Sequence, residues 1–112
     1  MLLALWVDLR AVAAVDKGAS RYTFVAGASV YPFAWSLLLA ARAEGLGGTI
    51  TTMNVRRESE ARALLAVPDH FALAAVVALG WPVRRPTRLT RQPVAEFATV
   101  DRFDGPAFGP AS

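Results

Sequence analysis

The stretch Tyr31–Thr52, YPFAWSLLLAARAEGLGGTITT, decides the fold of this chain. Its first half is almost wholly apolar and predicts a helix over residues 30–44, where Pro32 is tolerated because it falls in the first turn. Because the apolar residues lie all round that helix, the pattern indicates a central, buried helix. Gly45 fits the position just after a helix end, and the β-branched residues of 48–52 predict a strand. The stretch therefore predicts a helix–glycine–strand unit.

Three further elements flank this unit. Residues 2–7 and 71–79 are continuous apolar runs, which predict buried strands. Residues 54–65 alternate charged and apolar side chains with a helical period, which is typical of a helix with one solvent-facing side. The chain is therefore predicted to contain about three central strands and two helices.

Other regions give less regular patterns. Residues 9–15 have helical character and residues 22–25 have β character. After the last strand comes an extended arm, here called the C-terminal arm and defined as residues 83–103, in which 94–100 looks β-like. The Gly- and Pro-rich residues 104–112 are predicted to be a mobile tail. The domain is accordingly expected to span residues 1–103.

Composition sets the size of the fold and predicts a partner. The chain has 112 residues, enough for one domain at most. Its hydrophobic content is 54%, its charged content 19% and its mean hydropathy +0.36. Such a chain is too hydrophobic to be disordered. A short chain cannot bury all of this apolar surface in one copy, so burial against an identical chain or a missing segment is expected.

Several classes of site are excluded by residue type. The chain has no cysteine and a single histidine, His70, so neither a thiolate site nor a multi-histidine metal site is expected within one chain. The longest apolar runs, 33–41 and 71–80, are far shorter than the roughly 20 residues of a membrane-spanning helix. The first residues carry Asp8 and Arg10 within the apolar run, unlike a signal peptide. A cytoplasmic protein is the default expectation.

The basic residues are concentrated in the C-terminal arm. The formal net charge is +3, and the densest cluster is Arg84, Arg85, Arg88 and Arg91. Basic clusters attract phosphate, whether of a nucleic acid or of a cofactor. The cluster lacks interleaved aromatic residues, so nucleic acid is the least favoured partner. A solvated basic arm without a ligand is the alternative interpretation.

Four segments in order resemble one known family. They are the helix–glycine–strand unit, EARALLAVP at 60–68, AAVVALGWP at 74–82 and RQPVAEF at 91–97. Each motif is degenerate, but together, with matching gaps over residues 28–103, they resemble the FMN-dependent nitroreductase family. Nothing in residues 1–27 resembles the N-terminal half of that family. The chain therefore resembles the C-terminal half, as a fragment or as a minimal variant that obtains its missing walls from a partner.

The resemblance implies a fold and a function. The fold would be α+β, a partial nitroreductase-like three-layer arrangement with a short sheet, a buried central helix and an extended C-terminal arm. The function would be FMN-dependent oxidoreduction, in which NAD(P)H drives reduction of a nitroaromatic, quinone or similar small-molecule acceptor. The partner would be a second copy, giving a homodimer, or a chain supplying the N-terminal half. The alternative is a non-catalytic interaction or structural chain without a complete flavin site.

The resemblance also implies where FMN would bind. The backbone of Gly47, Gly48 and Thr49 would border the flavin ring near its N5 and O4 edge, although a plain packing turn remains an alternative. A Gly48→Val variant is expected to lose flavin binding and still fold. No side chain is expected to act as a catalytic acid or base.

The phosphate of FMN is expected to meet the C-terminal arm. The family places a basic residue of this arm on the phosphate, and Arg91, just before Gln92-Pro93, matches that position best. Arg88 is the second candidate. Arg84 and Arg85 are expected to face solvent.

Overall fold

The structure is a computed structural model that describes residues 1–12, 18, 20 and 24–109. Its regular elements are β1 (Leu2–Asp8), α1 (Val30–Ala43), β2 (Gly47–Thr51), α2 (Glu58–Leu65) and β3 (Phe71–Gly80). The predicted strands and the first predicted helix agree with these bounds to within one residue at each end. The predictions for residues 9–15 and 22–25 fall largely outside the described residues.

The three strands form one antiparallel sheet with β3 in the centre. The order is β1-β3-β2, with Leu3 opposite Val77 and Gly48 opposite Leu79. Alternate residues of β3 supply the core: Val77 is fully buried, and Leu73 and Ala75 are nearly so. One face of the central strand is therefore covered, whereas its continuous apolar run predicts burial on both faces.

Helix α1 packs on β2 and β3 through its small residues. Ala34 and Ala41 are its buried side chains, and short side chains let a helix approach a sheet closely. Several large apolar residues of α1 nevertheless remain exposed, namely Tyr31, Phe33, Trp35 and Leu39. Trp35 is 65% exposed. Within one copy of the chain, the helix that the sequence pattern marks as central is thus covered on one side.

The second helix is shorter than its pattern suggests. A 3₁₀ turn occupies Met53–Arg57, and α2 begins at Glu58. Arg62 holds α2 in place because its guanidinium binds the Glu58 carboxylate, donates to the Pro68 carbonyl at 2.7 Å and lies 5.6 Å above the Trp6 ring centroid. Such stacking of an arginine on indole adds a cation–π attraction to the ion pair.

The β-like prediction for residues 94–100 is wrong over most of its length. Val94–Glu96 forms a 3₁₀ turn, and within 94–100 Thr99 alone has a β-bridge, to Ala107. The segment lies beside no strand of the sheet, so it folds back on itself, and Phe108 N–H donates to the Ala98 carbonyl at 2.8 Å. The predicted domain boundary after residue 103 lies inside this turn, and the mobility of the tail stays a prediction.

Candidate functional site

The end of α1 is built as a Schellman motif. Gly45 has φ +83°, its N–H donates to the Arg42 carbonyl at 3.0 Å, and Leu46 N–H donates to the Ala41 carbonyl at 2.9 Å. Glycine is favoured here because an L side chain is strained in the left-handed region. The motif satisfies two terminal carbonyls and turns the chain directly into β2.

Gly48 allows β2 to lie close to α1. A Cβ atom at Gly48 would be 2.6 Å from Cδ2 of Leu38 and 2.7 Å from Cδ2 of Leu79. Both distances are well inside van der Waals contact, so any side chain at position 48 would force the Leu38 and Leu79 side chains to move. This packing role differs from the sequence-based expectation that Gly48→Val would leave the fold intact.

The backbone polar groups of Gly48 point out of the open edge of the sheet. Leu79 N–H donates to the Met1 carbonyl at 2.9 Å, and the Leu79 carbonyl accepts from the Met1 ammonium at 2.9 Å. Leu79 therefore directs its polar groups towards β1 and away from β2. Because Gly48 is opposite Leu79, this is a non-hydrogen-bonded pair, and the N–H and C=O of Gly48 face outward. An outward N–H at a sheet edge is available to a ligand.

A shallow groove of about 360 Å³ runs along this edge. It is here called the glycine groove, and its lining residues are Gly47, Gly48, Thr49, Ala78, Leu79, Gly80, Trp81 and Pro82. Gly47 lies against Pro82, since a Cβ at Gly47 would be 3.1 Å from Cβ of Pro82. The space above Gly80 is open, and Trp81 is 77% exposed at the end of the groove. The groove combines apolar walls with backbone donors and offers no charged side chain.

The two predicted parts of the site are placed differently. Gly47, Gly48 and Thr49 lie together in the glycine groove. Arg88 and Arg91 lie in an exposed segment without regular structure, and neither lines that groove. The described hydrogen bond of the Arg91 side chain is to the neighbouring Thr90 carbonyl, at 2.9 Å. Within the described residues, this chain does not bring the candidate phosphate ligands to the glycine groove.

Arg85 is a contact that the sequence analysis missed. Its Nη2 donates to the Gly45 carbonyl at 2.8 Å, so the side chain contacts the end of α1 while the residue is exposed, as expected for Arg85. A helix C-terminus attracts cations because its carbonyls carry partial negative charge. This preference could have predicted an arginine at the end of α1. The sequence could not show which arginine of the cluster makes the contact, because Arg85 and Gly45 are 40 residues apart.

The described part of the chain lacks two other kinds of feature, a metal cluster and a membrane-spanning helix. No three or more His, Cys, Asp or Glu side chains of residues 1–12, 18, 20 and 24–109 come together as a metal site. In the same residues, no helix has both the length and the apolar character needed to cross a membrane.

Solved structures with the same fold are roughly twice as long. NfrA1 nitroreductase from B. subtilis is 16% identical and aligns with a TM-score of 0.69. NADPH:FMN oxidoreductase from Vibrio harveyi, in complex with NAD+, is 21% identical with a TM-score of 0.71. B. megaterium NfrA2 is 19% identical with a TM-score of 0.71. Each alignment covers 92% of this chain and 46% of the other, so the chain spans about half the length of these proteins.

The family is shown by the sequence match. No curated protein matches the chain. The sequence model of the Nitroreductase family, however, matches residues 2–81, which include all three strands and both helices. This match and the shared fold of the solved structures agree with the four motifs. The chain belongs to the nitroreductase family.

Proposed function

We propose that this chain forms the flavin-ring side of an FMN-dependent oxidoreductase that uses NAD(P)H to reduce a nitroaromatic, quinone or similar acceptor. The outward N–H of Gly48 at the rim of the glycine groove carries this proposal. Family membership supports it, and one structural neighbour is itself named as an NADPH:FMN oxidoreductase.

The glycine groove fits part of a flavin. Its volume of about 360 Å³ is near the lower end of the roughly 300–1,000 Å³ of ligand sites, and it is open to solvent. Apolar walls suit one face of a planar ring, and outward amides suit the polar ring edge. The residues that would hold the ring are Gly47, Gly48 and Thr49. The groove lacks a cation, so the phosphate must be held elsewhere.

The chemistry of such a site is divided between cofactor and chain. When bound, FMN supplies the hydride and electron transfer. The chain binds and orients the ring, and the Gly48 N–H donates towards its edge. A fixed donor there favours negative charge on the group that it faces. No acidic or basic side chain lines the groove, so the proposal assigns no catalytic acid or base to this chain.

Arg91, with Arg88 as the second candidate, is proposed to bind the FMN phosphate. A guanidinium offers two parallel N–H donors to phosphate oxygens. Both residues are exposed and lie away from the glycine groove of their own chain. The proposal therefore includes a second polypeptide on which the C-terminal arm is ordered beside a flavin.

The amount of exposed surface supports this partner. The accessible surface is 9400 Å², whereas a folded monomer of 12.0 kDa exposes about 6,000 Å². The radius of gyration is 18.5 Å, against about 13 Å for a compact domain of this length. The excess is of the size buried in large obligate interfaces, roughly 2,000–5,000 Å² in total. We propose a homodimer, or a complex with a chain corresponding to the rest of the family domain, in which α1 and the C-terminal arm are covered.

Sedimentation of the full chain tests the association. We expect a dimer or a larger species at micromolar concentration. Trp35→Glu, on the exposed side of α1, should weaken it, whereas Ser59→Glu adds the same charge on α2 and should not. A monodisperse 12 kDa monomer of the parent chain would exclude a homodimer.

Flavin titration tests the function. The associated full chain is titrated with FMN while flavin fluorescence is followed, and oxidation of NADH or NADPH is then measured with a quinone acceptor. Saturable FMN uptake with acceptor-dependent oxidation is the expected result. If the associated chain retains no FMN after the free cofactor is removed, the result refutes the proposal and favours a non-catalytic role.

A further inference from the structure

In the described part of the chain, a single hydrogen bond joins the segment that follows β3 to the body of the domain. Among the described residues, 81–92 make no backbone hydrogen bond outside the segment. The bond from Arg85 Nη2 to the Gly45 carbonyl, 2.8 Å long, is the hydrogen bond that joins the segment to the body of the domain. The position of residues 81–85 therefore depends on Arg85 to an unusual degree.

The same glycine turn also contacts Trp81. A Cβ at Gly45 would lie 3.6 Å from Cζ3 of Trp81 and 3.6 Å from Nη2 of Arg85. Trp81 and Arg85 thus close over the end of α1 together. Trp81 and Pro82 are also the end wall of the glycine groove, and Pro82 lies against Gly47.

We propose that Arg85 is a positioning residue that fixes this end wall. By donating to the Gly45 carbonyl, it holds Trp81 and Pro82 beside the edge of β2, so that the glycine groove is shaped before a planar ligand arrives. Preorganisation of this kind raises affinity because fewer groups are immobilised on binding. The proposal rests on the proposed flavin site, but its structural part is measurable without flavin.

The test uses the full chain and three variants. Arg85→Ala removes the bond, and Arg85→Lys keeps a positively charged N–H donor for the Gly45 carbonyl. Arg84→Ala removes the same charge from a neighbouring residue for which the described part of the chain has no hydrogen bond or ion pair. Emission of Trp81 is isolated by subtracting the spectrum of a Trp81→Phe variant made in each background, and quenching of that emission by acrylamide is measured alongside.

The expected result is specific to Arg85. Arg85→Ala should shift Trp81 emission to the red and make it easier to quench, Arg85→Lys should restore most of the parent behaviour, and Arg84→Ala should change neither. FMN and riboflavin affinities should fall together in Arg85→Ala, by about fivefold for loss of one hydrogen bond. Unchanged Trp81 emission and quenching in Arg85→Ala would overturn the proposal.

The flavin measurements separate two kinds of failure. A loss for FMN alone would make Arg85 a phosphate ligand and would also overturn the positioning role. If the parent chain binds neither FMN nor riboflavin, the proposed function fails, whereas the emission and quenching measurements still decide whether Arg85 fixes Trp81.

Discussion

Strand β2 is fixed on three sides, whereas the C-terminal arm is fixed at one point. The Schellman motif at Gly45 holds one end of β2, β3 pairs along its length, and Leu38 of α1 packs against Gly48. The arm reaches the body of the domain through Arg85. One copy of the chain therefore contains enough contacts to shape the glycine groove, whereas Arg88 and Arg91, the proposed phosphate ligands, lie in the arm and away from that groove.

The largest expected loss of stability comes from a substitution in strand β2, the more firmly fixed of the two regions. Gly48→Val would force a branched side chain between Leu38 and Leu79, where a Cβ alone lies within 2.7 Å of both. Overpacking of this kind costs typically 1–3 kcal/mol, and we expect about 3 kcal/mol because two neighbours must move. Chemical denaturation measures the loss. The variant should also lose FMN binding, but the loss of stability must be separated from it.

Gly80→Ala is the matched control for this substitution. Gly80 lines the same groove, and no atom lies within 4 Å of the place that an added methyl carbon would take. The free energy of unfolding should therefore change by less than about 0.5 kcal/mol. Equal stability of Gly48→Val and the parent chain would show that β2 and α1 are packed less closely than described.

The second prediction concerns the arm and tests its function. If Arg91 binds the FMN phosphate, Arg91→Ala should cost about 1.5–3 kcal/mol of FMN affinity, the range for a hydrogen bond to a charged group. Arg91→Lys should recover only part, because an ammonium lacks the planar fork. Riboflavin has no phosphate, so its affinity should barely change.

Two outcomes would contradict the assignment of Arg91. If FMN and riboflavin weaken by the same factor, the substitution has damaged the arm in general. If FMN weakens in Arg88→Ala and not in Arg91→Ala, the phosphate contact lies three residues upstream. Both variants are read in the associated protein, since the arm is expected to be ordered there.

The sequence predicted the helix–glycine–strand unit better than the C-terminal arm, because the unit depends on local contacts and the arm on distant ones. Helix α1 and strand β2 follow from a local pattern, and Gly45 was correctly assigned to the helix end, because caps and periodicity depend on neighbouring residues. The need for glycine at position 48 depends on Leu79, 31 residues away, and was missed. The Arg85 contact and the fold of 94–100 likewise depend on residues distant in sequence or on the absence of a strand partner.

The third prediction tests the cap of α1 against the cap of α2. Gly45→Ala should cost about 1 kcal/mol because φ is +83°, while the nearest atoms at 3.6 Å leave room for the methyl group. Ala66 occupies the equivalent left-handed position after α2, with φ +51°. Ala66→Gly should therefore stabilise the chain, by about 0.5 kcal/mol after the greater entropy of the unfolded chain is subtracted. Thermal unfolding of both variants measures the opposite signs, and a loss in both would show that conformational strain does not govern these two positions.

The smallest expected effect on global stability belongs to a glycine in the turn that follows the arm. Gly105→Ala would place a methyl group 2.1 Å from the Val100 carbonyl oxygen, a backbone atom that cannot rotate away, so the turn must open. The bonds from Val100 N–H to the Pro106 carbonyl and from Phe108 N–H to the Ala98 carbonyl should weaken, and hydrogen exchange at Val100 and Phe108 should become at least about tenfold faster. Because this turn lies outside the sheet, the free energy of unfolding of the core should change by less than about 0.5 kcal/mol.

Gly109→Ala, with open space around the added methyl group, serves as the control. A global loss as large as that of Gly48→Val would mean that the turn is packed on the core, and the contrast between a fixed strand and a singly attached arm would no longer hold.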